Sequence, residues 1–262
     1  MRALYTAATG MAAQELSVQV ISNNIANLQT TGYKKQRAAF QDLIYDHVRR
    51  VGAQASQQNT ILPMGIDLGG GVKTVGTPRM MTQGTLSPTG NDLDIAVRGE
   101  GFFKILMPDG TFTYTRDGSF QMDNQGRVVN AQGNPVQPTI TIPQNASGLT
   151  INTQGQVSVT LPGQTASTTI GQIGLTRFVN KAGLNPIGDN LFQETPASGQ
   201  PQDGIASTDG YGDMQQGNLE QANVEVVSEI SNLIAAQRAY EMNSKVISAA
   251  DQMMQSTSNL FR

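Results

Sequence analysis

Few residues in this chain have obvious chemical potential. His47 is the sole histidine, with Asp46 and Arg49 beside it. An imidazole acts as base or ligand only when a nucleophile or second ligand is in reach. None adjoins it, so His47 reads as a solvated polar residue leaving a helix. Asp92, Asp94 and Glu100 could pose as the carboxylate pair of a glycosidase, but Asp92 and Asp94 on one strand face also read as ordinary strand-edge polar residues. The run DNQGR at 123–127, with Asp109, Asp117 and Asn124 near it, hints at calcium loops. It lacks the ligand series and terminal bidentate Glu of an EF-hand, and such residues are ordinary turn chemistry. LGGGVKT at 68–74 has glycines and a lysine without P-loop spacing or a following helix. No enzyme, cofactor site or metal site emerges.

A different feature asks for explanation. The stretch ISNNIANLQTTGYKK at 21–35 puts Asn23, Asn24 and Asn27 where an amphipathic helix should end. Asparagine competes with the backbone for hydrogen bonds and forms helix poorly. The readings are a ligand-binding turn, a frayed helix end, or polar flanks that meet other protein.

Composition narrows the class. The 262 residues suffice for a real core in one domain or two. Only 14% are charged and the net charge is −3, which gives no footprint for nucleic acid or an acidic membrane surface. Cysteine is absent, which rules out a disulfide framework and suits an exported chain and a cytosolic one alike, so composition leaves the compartment open. No apolar run is long enough to span a bilayer, so no membrane insertion is expected. In MRALYTAATGMAAQELSVQV, Thr6, Thr9, Gln14, Glu15 and Ser17 interrupt any apolar signal core. Export would therefore proceed without a cleaved signal peptide.

The elements follow from periodicity. Leu4, Ala7, Met11, Val18, Ile21, Ile25 and Leu28 alternate three and four apart, with Gln14 in frame. This is a narrow heptad seam. It predicts a helix over 3–29, about 40 Å long, stopped by Thr30, Thr31 and Gly32. At the far end Asn218 and Gln221 suggest a capping box. A second seam runs through Val226, Ile230, Leu233, Tyr240, Ile247, Met254 and Phe261. It predicts a helix from 219 to about 258, roughly 60 Å long. Between them, short β-like runs cut by Asp109-Gly110, Asp117-Gly118, Gln125-Gly126 and Gln132-Gly133 predict antiparallel strands.

The expected class is therefore α+β, with long N- and C-terminal helices forming a coiled-coil-like domain (1–30 and 219–262). An extended arm or linker (31–84 and 205–218) and a central, mainly antiparallel β domain (85–204) complete it. Each helix has only a narrow stripe to bury. The two could pair as an antiparallel hairpin, but polar seam positions weaken that pair and the longer helix would overhang. Neighbouring copies completing the packing is the favoured reading.

The chain resembles the bacterial flagellar rod and hook proteins over nearly its whole length. The likeness rests on Ser22, Asn23, Asn24, Ile25, Ala26 and Asn27 leading into Thr31-Gly32-Tyr33-Lys34. It rests equally on Gly217-Asn218-Leu219-Glu220, on Gln237-Arg238-Ala239-Tyr240-Glu241, and on the segments LDIAVRGEGFFKI and YTRDGSFQMDNQGRVV. The chain is short for a hook subunit, and its arm is most similar to that of distal rod members. The resemblance implies a non-catalytic axial subunit without cofactors. It implies export through the flagellar type III apparatus and helical self-assembly into a rigid hollow rod across the periplasm. Proximal rod proteins, the hook protein, and ring proteins of the outer membrane and peptidoglycan would be its partners. Asn23, Asn24 and Asn27 would then set registry between subunits, and the arm from Asp46 to Pro78 would brace neighbours against sliding. The rival reading is a secreted β-domain adhesin on a coiled-coil stalk, for which Phe102, Phe103, Phe112 and Tyr114 could form an aromatic platform.

Overall fold

The computed structural model describes residues 2–49, 64–146, 148–163 and 166–260. The fold is α+β: an N-terminal helix α1 (Arg2–Ala26), antiparallel strands between, and a C-terminal helix α2 (Val226–Leu260). The chain divides into two compact units. One holds Met1–Ile25, Gln36–Pro78 and Glu225–Arg262; the other holds Ala26–Lys35 and Arg79–Val224. No described helix is long and apolar enough to cross a membrane.

In the first unit the two helices approach along a line that the apolar seams did not predict. Asn24 Nδ2 donates to Glu229 Oε2 at 3.4 Å, and a Cβ on Gly10 would meet Asn243 Nδ2 at 2.9 Å. The two contacts run in opposite senses, so the helices are antiparallel there. Glu229, buried Ala236 and Asn243 are spaced by seven, as are Gly10, Ser17 and Asn24. Small and polar residues thus occupy the approach. Small side chains let helix backbones come close, and the amides and carboxylate supply the hydrogen bond.

Residues 50–63 of the expected arm lie outside the described residues; the described stretches on either side form a ribbon. Ala39–Asp42 pairs with Val72–Gly76, and Tyr45–Arg49 with Ile66–Gly69, both antiparallel and in series. Across the junction, Leu43 N–H donates to Gly71 O at 2.8 Å and Gly70 N–H to Ile44 O at 3.2 Å. The glycine run Gly69-Gly70-Gly71 is pinned. Gly71 has φ +117°, and a Cβ there would lie inside the van der Waals radius of Thr9 Oγ1 on α1. Val72 N–H donates to that same hydroxyl at 3.4 Å. His47 leaves no helix: it stands on strand Tyr45–Arg49, with Nδ1 2.6 Å from Asp67 Oδ1 on the paired strand.

The second unit is all antiparallel in its described ladders. A five-stranded sheet runs in the order Val136–Gln137, Phe103–Leu106, Phe112–Thr115, Leu191–Gln193, Asn185–Gly188. A three-stranded sheet comprises Gly148–Ile151, Gln156–Thr160 and Thr168–Gln172. Ile95–Arg98 pairs with Asp213–Gln216, placing Val97 opposite Met214 in the core. That core is aliphatic, with Ile105, Val136, Val157, Ile173 and Leu175 buried. A second cluster joins Phe102, Tyr114, Phe178, Leu184 and Phe192, and its rings meet edge-to-face, Tyr114 and Phe178 at 4.7 Å.

Two expected boundaries shift. The C-terminal helix starts at Val226 because Asn218–Glu220 is a strand paired with Leu86–Pro88, entered through Gly217 at φ +69°. Asn218 Nδ2 donates to Gln216 O at 2.9 Å, so the expected capping box does not form. The first helix ends at Ala26, three residues early, where Thr30 N–H donates to Asn27 O in a turn at 3.2 Å. Of the expected turn glycines, Gly110, Gly126 and Gly133 have positive φ. Gly118 is needed for another reason, since a Cβ there would overlap Ile95 O.

Candidate functional site

Three of the segments that carried the family likeness, Thr31–Lys34, Gly217–Glu220 and the one holding Arg116, converge in the β unit. Gly32, at φ +66°, turns the chain after α1, and its N–H donates to Glu220 O at 2.7 Å. A Cβ at Gly32 would lie 2.7 Å from Asp117 N, so both backbone angle and space demand glycine. The turn delivers Lys34 into the interior. Its Nζ donates to Glu220 Oε1 at 2.5 Å and to Thr82 O at 2.9 Å. Gly84 N–H donates to the same Oε1 at 2.8 Å. The other carboxylate oxygen faces Arg116 Nη1 at 3.5 Å. Arg116 in turn donates to Val97 O and Gly99 O, and its guanidinium lies 5.3 Å from the Phe102 ring centre.

These three charges are sealed from water: the side chains of Lys34, Arg116 and Glu220 are 1%, 3% and 0% exposed. Burial pushes the Lys34 ammonium below its ordinary pKa of 10.5, against the raising effect of Glu220. Burial likewise lowers Arg116 against Glu220. Nothing here is arranged to attack or transfer a group. The cluster is a clasp, tying residue 34, residue 116 and residue 220 into one network. Arg79 extends it, donating Nη1 to Lys34 O at 3.3 Å and lying 5.9 Å from the ring centre of buried Tyr33. Asn223 Oδ1 accepts from Lys35 N–H at 2.7 Å and its Nδ2 donates to Met80 O.

The residues expected to form helical seams take unequal positions. On α1, Ala7 and Ile21 are buried and Leu4, Met11, Val18 and Ile25 half-buried, while Leu28 lies in the turn past the helix end. Ala13, Val20 and Asn24, off the expected seam, are buried. On α2, Leu233 and Ile247 are half-buried, whereas Val226, Ile230, Tyr240 and Met254 are exposed, as are Gln237 and Arg238. Phe261 lies outside the described residues.

Asn24 shows why asparagine stands there. It is buried, with Oδ1 accepting from Gln36 N–H and Nδ2 donating to Gln36 O, each at 2.9 Å. The side-chain amide imitates a strand partner for the chain returning after the turn. Asn27 Oδ1 accepts from Thr30 Oγ1 at 3.2 Å, and Asn23 is exposed.

Sequence reasoning missed two things. The clasp was invisible because Lys34 and Glu220 are 186 positions apart; the available signal was Glu220 as the lone charge of its motif segment. Also missed was a second apolar stripe on α2: Val227, Ile234, Met242, Val246 and Met253, all exposed. At 100° per residue these five share one side of the helix, away from Glu229, Ala236 and Asn243.

The chemical candidates dissolve. Asp92 and Asp94 do not share a strand face: Asp92 lies in a turn, and buried Asp94 accepts from Thr89 Oγ1 at 2.5 Å and Asn91 Nδ2 at 3.1 Å. Among the described residues no group of three His, Asp or Glu could hold a metal. Of the four aromatics considered for a binding platform, Phe102, Phe103 and Tyr114 are core residues.

Comparison with known proteins agrees with the motif positions. Residues 4–34 match the family model of flagella basal body rod proteins, 96–159 the D1 domain of flagellar hook proteins FlgE/F/G, and 215–260 the C-terminal region of basal body rod FlgEFG proteins. The chain is 53% identical to the flagellar basal-body rod protein FlgG of Caulobacter vibrioides, covering 99% of both chains. It is 46% identical to FlgG of Borreliella burgdorferi over 100% of this chain and 99% of the relative. With FlgG of Bacillus subtilis it shares 37% over the full length of both. The chain belongs to the flagellar basal-body rod proteins, a family of structural, non-enzymatic subunits of the basal body.

Proposed function

We propose that this chain is an axial subunit of the distal rod, copies of which assemble helically through their terminal helices into a rigid, hollow shaft carrying torque to the hook. The observation that carries this reading is the stripe Val227, Ile234, Met242, Val246 and Met253. It leaves a row of large apolar side chains exposed on a helix that already has an intrachain partner on another side. Fully burying one such side chain stabilises by about 1.5–3 kcal/mol. A contact that covers the stripe therefore favours assembly strongly, and the occupant is a second copy, as the family assignment supports. In that packing the half-buried and exposed seam residues of α1 and α2 complete coiled-coil-like layers. Asn23, on the exposed side of α1, serves registry between copies.

The ribbon braces adjacent copies through exposed Ile44, Val48, Ile66, Leu68 and Val75. Proximal rod proteins, the hook protein and the outer-membrane and peptidoglycan ring proteins are the remaining partners. Delivery runs through the flagellar export apparatus without a cleaved signal, and the assembled rod spans the periplasm. The adhesin alternative finds no support, three of its four platform aromatics, Phe102, Phe103 and Tyr114, being core residues.

Complementation tests the reading. In a motile host lacking its own rod gene, the wild-type chain restores rods and swimming. Val227→Asp with Ile234→Asp abolishes both while the purified variant keeps a folded β unit. Normal swimming by that variant would remove the reading's support.

A further inference from the structure

Met242 and Met253 stand on the outward stripe of α2, 61% and 65% exposed. Eleven residues separate them, about 16 Å along the helix at 1.5 Å per residue. Among apolar side chains, the thioether is the one that a mild two-electron oxidant turns polar, and reversibly so. We propose that Met242 and Met253 form an oxidation site for peroxides that switches off the α2 face for self-assembly, which rests on the reading of that face as the contact between copies.

The chemistry needs no catalytic group. A sulfur lone pair attacks one oxygen of hydrogen peroxide, the O–O bond breaks and an S–O bond forms. The second oxygen leaves as water after taking the proton from the oxygen now on sulfur. Sulfur is oxidised by two electrons and the peroxide reduced by two. Each sulfoxide places a strong acceptor on a row where Ile234 and Val246 need an apolar partner, and burying an unmatched acceptor is unfavourable. The site is open in the unassembled subunit and closed in the polymer, so the state before incorporation is the sensitive one. Met214, by contrast, is shielded in the β core.

The experiment treats the purified full chain with graded hydrogen peroxide, maps sulfoxide by mass spectrometry and measures polymer growth. Met64 and Met122, 80% and 50% exposed and outside α2, serve as internal controls. Loss of growth should track sulfoxide at Met242 and Met253. The concentration needed for growth should rise about tenfold, the factor that 1.4 kcal/mol brings. Methionine sulfoxide reductases should restore growth. Met242→Leu with Met253→Leu, a volume-conserving pair of good helix formers, should keep polymerising after Met64 and Met122 have oxidised. Met242→Gln with Met253→Gln should fail without oxidant.

Unchanged growth of the doubly oxidised wild type, or equal sensitivity of the leucine variant, would overturn the proposal. Ile234→Asp separates the two levels. If that variant still polymerises, the contact-face reading itself fails; if it does not, while sulfoxide has no effect, only the oxidation site fails.

Discussion

At Glu220 one carboxylate serves two cations away from water, with Lys34 Nζ at 2.5 Å and Arg116 Nη1 at 3.5 Å. Removing one charge from such a group leaves the others buried and uncompensated, which costs about 3–5 kcal/mol. Glu220→Gln should therefore destabilise the chain by that amount in chemical denaturation. Replacing Lys34 and Arg116 by Met and Glu220 by Leu together should recover much of the loss; a single substitution without effect would contradict the sealed geometry.

Acid acts on other residues. Arg127 holds the Asp123 carboxyl below its ordinary 3.8 through hydrogen bonds at 2.6 and 3.1 Å, aided by Gln125 N–H. Burial alone would raise Asp203, but hydrogen bonds from Lys104 and Thr176 outweigh it and lower the group. A depressed carboxylate contributes stability that is present above its unfolded value and lost as pH falls through the folded one. Thermal stability should thus hold steady above pH 3.8 as far as these groups contribute, and fall below it. Asp123→Asn should flatten the fall. An unchanged acid profile in that variant would refute the assignment.

Elements were legible where periodicity ran long. Both helices and several of the central strands could be read from spacing, because a seam of apolar residues or an alternation is a local property. Their ends were not: Leu219 and Glu220 follow an apparent capping residue, Asn218, yet pairing with Ser87 and Leu86 makes them strand. Tertiary hydrogen bonds overrode a local capping signal. The seams themselves misled in a second way. They named the apolar rows, whereas the helices approach each other over Gly10, Asn24, Glu229 and Asn243, residues that hydropathy scores as unremarkable. The ribbon escaped because Ala39–Asp42 and Val72–Gly76 pair across about thirty residues of sequence without strong alternation. Its exposed apolar row makes a prediction at this scale. Leu68→Lys should leave the monomer folded yet give bent or polymorphic assemblies under electron microscopy, and straight ones would sink the bracing role.

At the scale of the molecule, two units divide the work. The β unit closes its own core and draws residues 34, 116 and 220 into one clasp, so its stability depends on segments near both ends of the chain. The helical unit leaves one face of α2 open. The central claim is that α2's outward stripe joins copies. Its most direct test is sedimentation and electron microscopy of the purified full chain beside Ile234→Asp. Concentration-dependent polymers should form from the wild type and none from the variant at matched concentration, with both sharing the same β-unit unfolding transition. Polymers of equal yield and form from Ile234→Asp would contradict that claim.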